Sequence, residues 1–306
     1  MIESRAPHVV LIGCGRWGRL ILRDLSALGA RVTVVIPHGD QRASTFPEAI
    51  RVVPSLSDAE TADGIVIATP TSTHGDILLN CLEHDIPIYC EKPLTDSVEL
   101  AQRVVDQALD RVFVMDKWRY HPAVEAMRDI VSARTFGTVL GLDTVRTQWG
   151  NPHADVDCAW ILLPHDLSIA LEVLGEIPRV TSSTAITRRD RLVQLSSSWQ
   201  FTNGTSMTTV VGEDSSVSVR QIRLHCEQAV VTLDGGWSDH LEVMPLDGPP
   251  DAPPRHLFTP GPQPLLAELS AFVNHLLGGP PPKSTAREGL ANVIAVADAR
   301  SMAAVT

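Results

Sequence analysis

Short apolar runs alternate with helically spaced segments through the first 118 residues. The runs at residues 8–13 (HVVLIG), 31–37 (RVTVVIP), 63–70 (DGIVIATP), 86–90 (IPIYC) and 111–118 (RVFVMDKW) are continuous rather than alternating. Runs of that kind predict strands buried on both faces. Between them, residues 16–29, 74–85 and 95–110 carry apolar positions at helical spacing. Residues 40–49 predict a further helix and 51–55 a short strand. Asp96 and Glu99 stand at capping-box spacing ahead of the 95–110 helix. Strand and helix in strict alternation imply a parallel sheet covered on both sides, an α/β doubly wound Rossmann layer.

The rhythm changes after Trp118. Residues 121–133 predict a helix, 137–149 a long strand, 150–159 a polar loop and 165–175 another helix. From Arg179 to about Val243 apolar and polar residues alternate, with hairpin signals at Asn203-Gly204 and Asp234-Gly235. That pattern predicts an open antiparallel sheet with one covered face in an α+β domain. Residues 248–264 are proline-rich and predict an irregular loop; 264–277 and 286–304 predict two helices. The expected division is into two domains, 1–118 and 119–306. A length of 306 residues suits two domains of roughly 150 each.

Composition narrows the function classes. With 44% hydrophobic residues the chain can bury a sizeable core. A formal net charge of −11 without a basic run argues against a nucleic-acid partner. The five cysteines, Cys14, Cys81, Cys90, Cys158 and Cys226, form no CxxC pair. An odd count without such spacing points away from disulfides and a zinc site, so no metal is expected and a reducing cytoplasm fits best. No apolar run reaches the roughly 18 residues of a membrane helix, and the N-terminus lacks a signal-like apolar stretch. A soluble protein acting on a small molecule is the expectation.

Gly13, Gly15 and Gly18 stand in GxGxxG spacing within LIGCGRWGRL, directly after a strand run and opening a helix. In that context the glycines allow a tight turn and close backbone approach, and the free N–H groups of the helix N-terminus face a pyrophosphate. Arg16 and Trp17 lie inside the loop and join the cofactor-binding candidates. At the end of the second strand an acid would bond the ribose 2′-OH of NAD. Here Ile36, Pro37 and His38 occupy that stretch; Asp40 comes later, and Arg42 follows it. Without the acid, His38 and Arg42 are free to approach a 2′-phosphate, so the cofactor is NAD(P) with a lean to NADP.

The stretch ATPTSTHGDILLNCLEHDIPIYCEKPLT places Thr69, Pro70 and His74 after one strand and Glu91, Lys92 and Pro93 after the next. Ligands of open parallel sheets lie beyond the carboxyl ends of the strands. Lys92 is therefore either a solvated strand-ending charge or a cation aimed at the crevice, able to bond a substrate oxygen. With GCGRWG, ATPTSTH, CEKPLT, WRYHPAV and LPHDLSIALEVLG, the chain resembles the glucose–fructose oxidoreductase / inositol dehydrogenase / MocA (Gfo/Idh/MocA) family over nearly its whole length. The resemblance implies that Lys92 contacts the reacting oxygen of the substrate, that Pro93 follows a cis bond, and that Thr69, Pro70, His74 and Glu91 belong to the cofactor side. It also implies a catalytic role for His165 and a homodimer or homotetramer formed through the open sheet.

By position His165 is expected in the first turn of its helix, just after Pro164, where the positive helix end favours a neutral imidazole. One departure is plain. Four residues before His165, where the family often carries an acid, this chain has Ile161; a second family acid is replaced by Ser168. Either His165 works with Lys92 alone, or Asp155 or Asp157 reaches in from the preceding loop, or the dehydrogenase chemistry is lost. Asp166 reads as a helix-dipole acid. Arg119 and Tyr120 are candidate substrate contacts, with an interdomain ion pair the alternative for Arg119. Trp149 and Trp160 either line a sugar site or pack in a core.

The resemblance implies an NAD(P)-dependent oxidoreductase moving hydride between nicotinamide and a secondary alcohol or ketone of a sugar, cyclitol or nucleotide sugar. PHDLSI and GCGRWG look most like members acting on nucleotide-linked sugars. Two rivals remain open at this level: an imine or ene reductase on the same scaffold, and a non-catalytic cofactor-bound sensor.

Overall fold

The computed structural model describes residues 6–37, 46–108, 110–151, 153–249 and 252–304. His38, Arg42 and most of the expected 40–49 helix lie outside the described residues. The chain forms two compact units, Met1–Lys117 with Leu265–Leu290, and Trp118–Pro264 with Ala291–Thr306. The first unit therefore takes in a segment from far along the sequence.

In the first unit the strands β1 (His8–Ile12), β2 (Arg31–Val35), β3 (Arg51–Val53), β4 (Gly64–Ile67), β5 (Ile88–Glu91) and β6 (Val112–Met115) form one sheet. Its order is β3-β2-β1-β4-β5-β6, and every described pairing is parallel. The direction of winding reverses between β1 and β4, the switch point where doubly wound sheets open a crevice. Helix α1 (Arg16–Ala27) turns Ile21, Leu22 and Leu25 into the core beside Leu269, Phe272 and Val273 of α6 (Pro264–Leu276). Phe272 stacks on Tyr89 of β5, ring centroids 4.9 Å apart. Burying each such side chain is worth about 1.5–3 kcal/mol, which fixes α6 on this sheet. Helix α2 (His74–Cys81) packs on β4 and β5 and against α3 (Val98–Ala108). Ser97 caps α3, its hydroxyl accepting from the Leu100 N–H at 3.3 Å; with Ser97 in place of Asp96 as the cap and Leu100 at the third position, the expected capping box does not form.

The second unit is built on β7 (Val139–Trp149), whose even positions Leu142, Thr144 and Arg146 are buried. Around it lie β8 (Arg179–Arg188), β9 (Arg191–Gln200), β10 (Ser206–Gly212), β11 (Asp214–Cys226), β12 (Ala229–Asp234), β13 (His240–Pro245) and β14 (Arg255–Phe258), in the order β14-β13-β12-β11-β7-β10-β9-β8. Helices α4 (Pro122–Ala133) and α5 (Cys158–Leu174) pack on each other, and α5 lies against β7, β9 and β10.

Two features of this sheet depart from expectation. It is mixed rather than wholly antiparallel, because β10 runs parallel to β7 from Ser206↔Gly141 to Gly212↔Thr147. The segment expected as an irregular loop contains β14, which pairs antiparallel with β13; its prolines lie outside the four paired residues, so none removes a ladder donor. The last helix, α7, spans Ala286–Met302. Among the described residues no helix is long and apolar enough to cross a membrane.

Candidate functional site

At the carboxyl edge of the first sheet, Gly13 has φ +87° and sends its N–H to the Val35 carbonyl at 3.1 Å. A side chain there would meet the Ala68 carbonyl at 2.7 Å, and one at Gly18 would meet the Gly13 carbonyl at 2.5 Å. Both glycines are thus required by the chain's own close packing. Gly15 differs: a Cβ built there meets nothing within 4 Å, so the loop presents bare backbone to open space. Gly15 is also the N-cap of α1, with no side-chain cap and no acid in the first turn. An uncapped, acid-free helix N-terminus behind a glycine loop fits a dinucleotide pyrophosphate.

The loops after β4 and β5 are fastened to this edge and to each other. The Ala68 N–H donates to the Ile12 carbonyl at 2.8 Å. The buried His74 ring lies between two backbone carbonyls, Nε2 3.0 Å from that of Thr69 and Nδ1 2.9 Å from that of Pro93, and a neutral ring donates to one of them. It thus stands between the Thr69-Pro70 turn and the Lys92-Pro93 peptide, which is cis. Glu91 makes the third link. One carboxylate oxygen accepts the Trp17 indole N–H and the other accepts the Lys92 backbone N–H at 3.2 Å. The Lys117 ammonium lies 4.3 Å from the centre of the Trp17 ring. Burial raises the Glu91 carboxyl above its ordinary range, against the opposing pull of Lys92, Lys117 and the Trp17 bond.

Sequence reasoning missed two members of this cluster, Lys117 and Glu268. Glu268 arrives on α6 almost fully buried, and neither carboxyl oxygen has a hydrogen-bond partner among the described residues. Burial first, then Glu91 and Asp116, hold it well above the ordinary carboxyl range; Lys117 pulls the other way. No linear motif marks it, because it is contributed by a helix about 175 residues further along the chain than Glu91.

In the second unit the histidine helix begins earlier than expected. Asp157 caps α5, accepting from the Ala159 N–H at 3.0 Å and the Trp160 N–H at 3.4 Å. His165 and the preceding Pro164 are therefore inside the helix, not in its first turn, and the helix dipole does not account for the state of the imidazole. The apolar run ahead of Pro164 is as good a helix former as the segment after it, which is why the start was misplaced. Asn292 bonds the Pro164 carbonyl at 3.0 Å, and Ser168 bonds back to the His165 carbonyl at 2.9 Å.

Asp157, Asp166 and Glu172 around this helix each pair with an arginine. Asp157 is the cap and also pairs with Arg300 at 2.8 Å, which removes it as a relay to His165. Asp166 is no exposed dipole acid: it is buried and takes two bonds from the buried Arg146, at 2.8 and 3.1 Å. Arg146 also lies over the Trp118 ring at 4.5 Å. Arg220, close enough to feel both charges, is pushed down to about 10 by burial and by Arg146. Ile161, one turn before His165, is buried. Arg119 pairs with Glu172 of α5 at 3.1 Å, inside the unit rather than across units, and Arg128 joins Glu172 at 2.6 Å. Tyr120 is buried, Trp160 is buried and Trp149 is exposed.

The model of the oxidoreductase family with an NAD-binding Rossmann fold (GFO_IDH_MocA) matches residues 8–113. An inositol 2-dehydrogenase of Saccharopolyspora erythraea is 32% identical over 60% of this chain and 57% of its own length. The inositol 2-dehydrogenase of Rhizobium meliloti is 24% identical over 94% of both chains. The chain thus spans little more than half of the first of these curated relatives. Among solved structures, UDP-N-acetylglucosamine 3-dehydrogenase from Acidithiobacillus ferrooxidans superposes with a TM-score of 0.83 at 21% identity, covering 98% of this chain and 99% of that one. Levoglucosan dehydrogenase in complex with NADH and levoglucosan gives a TM-score of 0.87 at 16% identity, covering 98% of each.

Proposed function

We propose that the chain, whose residues 8–113 match the model of the Gfo/Idh/MocA oxidoreductase family, transfers hydride between a nicotinamide dinucleotide and a secondary alcohol or ketone of a sugar, cyclitol or nucleotide sugar. The observation that carries the reading is the fastening of the Lys92 turn to the glycine loop through Glu91 and Trp17. A lysine held that way is positioned by the same elements that bind the cofactor, which a plain strand-ending charge does not need. When bound, the nicotinamide takes up or gives the hydride. Lys92 hydrogen-bonds the reacting oxygen and stabilises the charge that develops on it. His165 takes the hydroxyl proton on oxidation and returns it on reduction. Arg119 and Tyr120 serve the substrate side, Arg119 mainly by holding α5 in place through Glu172.

The named activities of the relatives, inositol, levoglucosan and UDP-N-acetylglucosamine dehydrogenation, define the substrate panel. The lack of an acid in the Ile36-Pro37 stretch supports a preference for NADP over NAD. Five buried free thiols suit a cytoplasmic protein. The exposed apolar side chains Leu140, Ile186 and Val217 on strands of the second sheet support self-association as a homodimer or homotetramer.

The experiment is to follow nicotinamide absorbance over inositols, levoglucosan, UDP-N-acetylglucosamine and a set of cyclic imines, with both cofactors. Turnover of one polyol, reduced at least about 100-fold in Lys92→Met, is the expected outcome. Turnover of imines alone would favour the reductase alternative, which the apolar Ile161 beside His165 supports because less proton relay is then needed. Tight cofactor binding with no turnover would favour a sensor.

A further inference from the structure

The expectation of no metal rested on cysteine spacing, which says nothing about ligands assembled across strands. On the edge hairpin of the second sheet, the ligand atoms of His240, Glu242 and His256 all lie within 4.8 Å of one another. Strand periodicity explains why. Leu241 and Val243 of β13 point into the core, so His240 and Glu242 share the opposite face. On β14 the register sets His256 directly across from Glu242. The His240 and His256 rings stack at 4.4 Å. His240 Nδ1 lies 2.9 Å from an Asp239 carboxylate oxygen, so the proton sits on Nδ1 and Nε2 is left as an acceptor.

We propose that His240, Glu242 and His256 form a surface site for a divalent transition metal, with zinc the natural occupant. Two imidazoles and a carboxylate are the donor set of three-ligand zinc sites, with a fourth position left for water or a further ligand. The Asp239–His240 contact supplies the carboxylate behind a ligating histidine that fixes its tautomer and raises its basicity. Zinc–nitrogen bonds of about 2.0–2.1 Å at tetrahedral angles put ligand atoms about 3.4 Å apart. The side chains therefore close by roughly 1.4 Å, within reach of torsion changes in half-exposed and exposed residues. The ion would join β13 to β14, whose described pairing is to β13 alone and whose four residues are all exposed. None of the three belongs to the cofactor or substrate candidates.

Zn2+ and Co2+ are titrated into the metal-free full chain, following heat of binding, the visible absorption of Co2+ and amide exchange of residues 255–258. One equivalent per chain with a Kd below about 10 µM, tetrahedral Co2+ absorption and at least tenfold slower exchange in β14 are expected. His240→Ala and His256→Ala each weaken binding at least 100-fold, and Asp239→Ala weakens it about tenfold. The three side chains are on the surface, so the variants keep wild-type circular dichroism. Binding at undiminished strength in the double variant His240→Ala/His256→Ala, or no binding tighter than about 100 µM in the wild type, overturns the site.

Discussion

Two buried carboxyl groups, one in each unit, are accommodated in opposite ways. Glu268 of the first unit has no hydrogen-bond partner among the described residues, and burial drives it toward its neutral form. Asp166 of the second unit is equally buried, and burial raises it too, but Arg146 donates twice to one of its oxygens and pulls it back. The first arrangement avoids a buried charge; the second keeps one and compensates it. Removing the acid therefore has opposite consequences in the two places. Around the glycine loop and Lys92, the push of Glu268 toward its neutral form lessens the negative charge beside Glu91, which holds Trp17 and the Lys92 turn. In the histidine helix, the buried pair pins α5 to β7 and fixes the rotation of the helix that carries His165.

The sharpest way to break this comparison is Asp166→Ala. It strands the Arg146 guanidinium, whose side chain is 3% exposed, and is expected to cost about 3–5 kcal/mol. Urea unfolding measures it. The double change Arg146→Met/Asp166→Leu should recover most of the loss, because an apolar pair of similar volume avoids desolvating either charge. A loss below about 1 kcal/mol in the single variant would mean that water reaches Arg146, and that the two carboxyls do not differ.

Glu268→Met tests the other half. A carboxyl whose folded pKa lies above its ordinary 4.5 binds its proton more tightly folded than unfolded. Its contribution is complete below about pH 4.5 and falls as pH rises toward the folded value, because there the unfolded chain has already released the proton. The groups facing it are Glu91, Asp116 and Lys117. Glu268→Met removes this slope, so the variant is expected to equal or exceed the wild type in thermal midpoint at pH 8 and to lose that advantage at pH 5. Methionine is the informative replacement, since glutamine would bring two buried donors that need partners. A parallel pH dependence in the two proteins would show that Glu268 is ionised when folded.

The same contrast explains what could be read from the chain. The first unit was legible because its site is built from backbone conformations that leave local marks: glycines at fixed spacing after an apolar run, and a lysine-proline step closing a strand. What escaped there came from afar, as Glu268 did, because no local pattern says which helix will cover the sheet. In the second unit the helix was found but its start was not. Residues 158–163 are apolar throughout, and Pro164 reads as a first-turn residue when it is in fact internal. The partners of Asp157, Asp166 and Glu172 are arginines brought together only by the fold. The sheet was anticipated as strands, but the parallel β7–β10 pair was not, because the alternation that marks a half-buried strand is identical for both directions.

The hairpin between β8 and β9 separates local sequence preference from tertiary demand on the smallest scale. Arg188 pairs with Arg191, leaving Arg189 and Asp190 as a two-residue loop with φ of 49° and 62°. That is the left-handed conformation of a type I′ turn, and neither residue is the asparagine or glycine that signals one. The right-handed twist of the two strands imposes the turn, and each of the two side chains carries part of a cost of about 1–2 kcal/mol per residue. Both are exposed, so replacing them disturbs no packing. Arg189→Asn/Asp190→Gly is expected to stabilise the protein by about 0.5–1 kcal/mol, after subtracting the greater freedom of glycine in the unfolded chain. Chemical denaturation reads the gain. A destabilised variant would mean that Arg189 or Asp190 makes an interaction worth more than the strain of its backbone, and that the turn is held by side chains instead of strand twist.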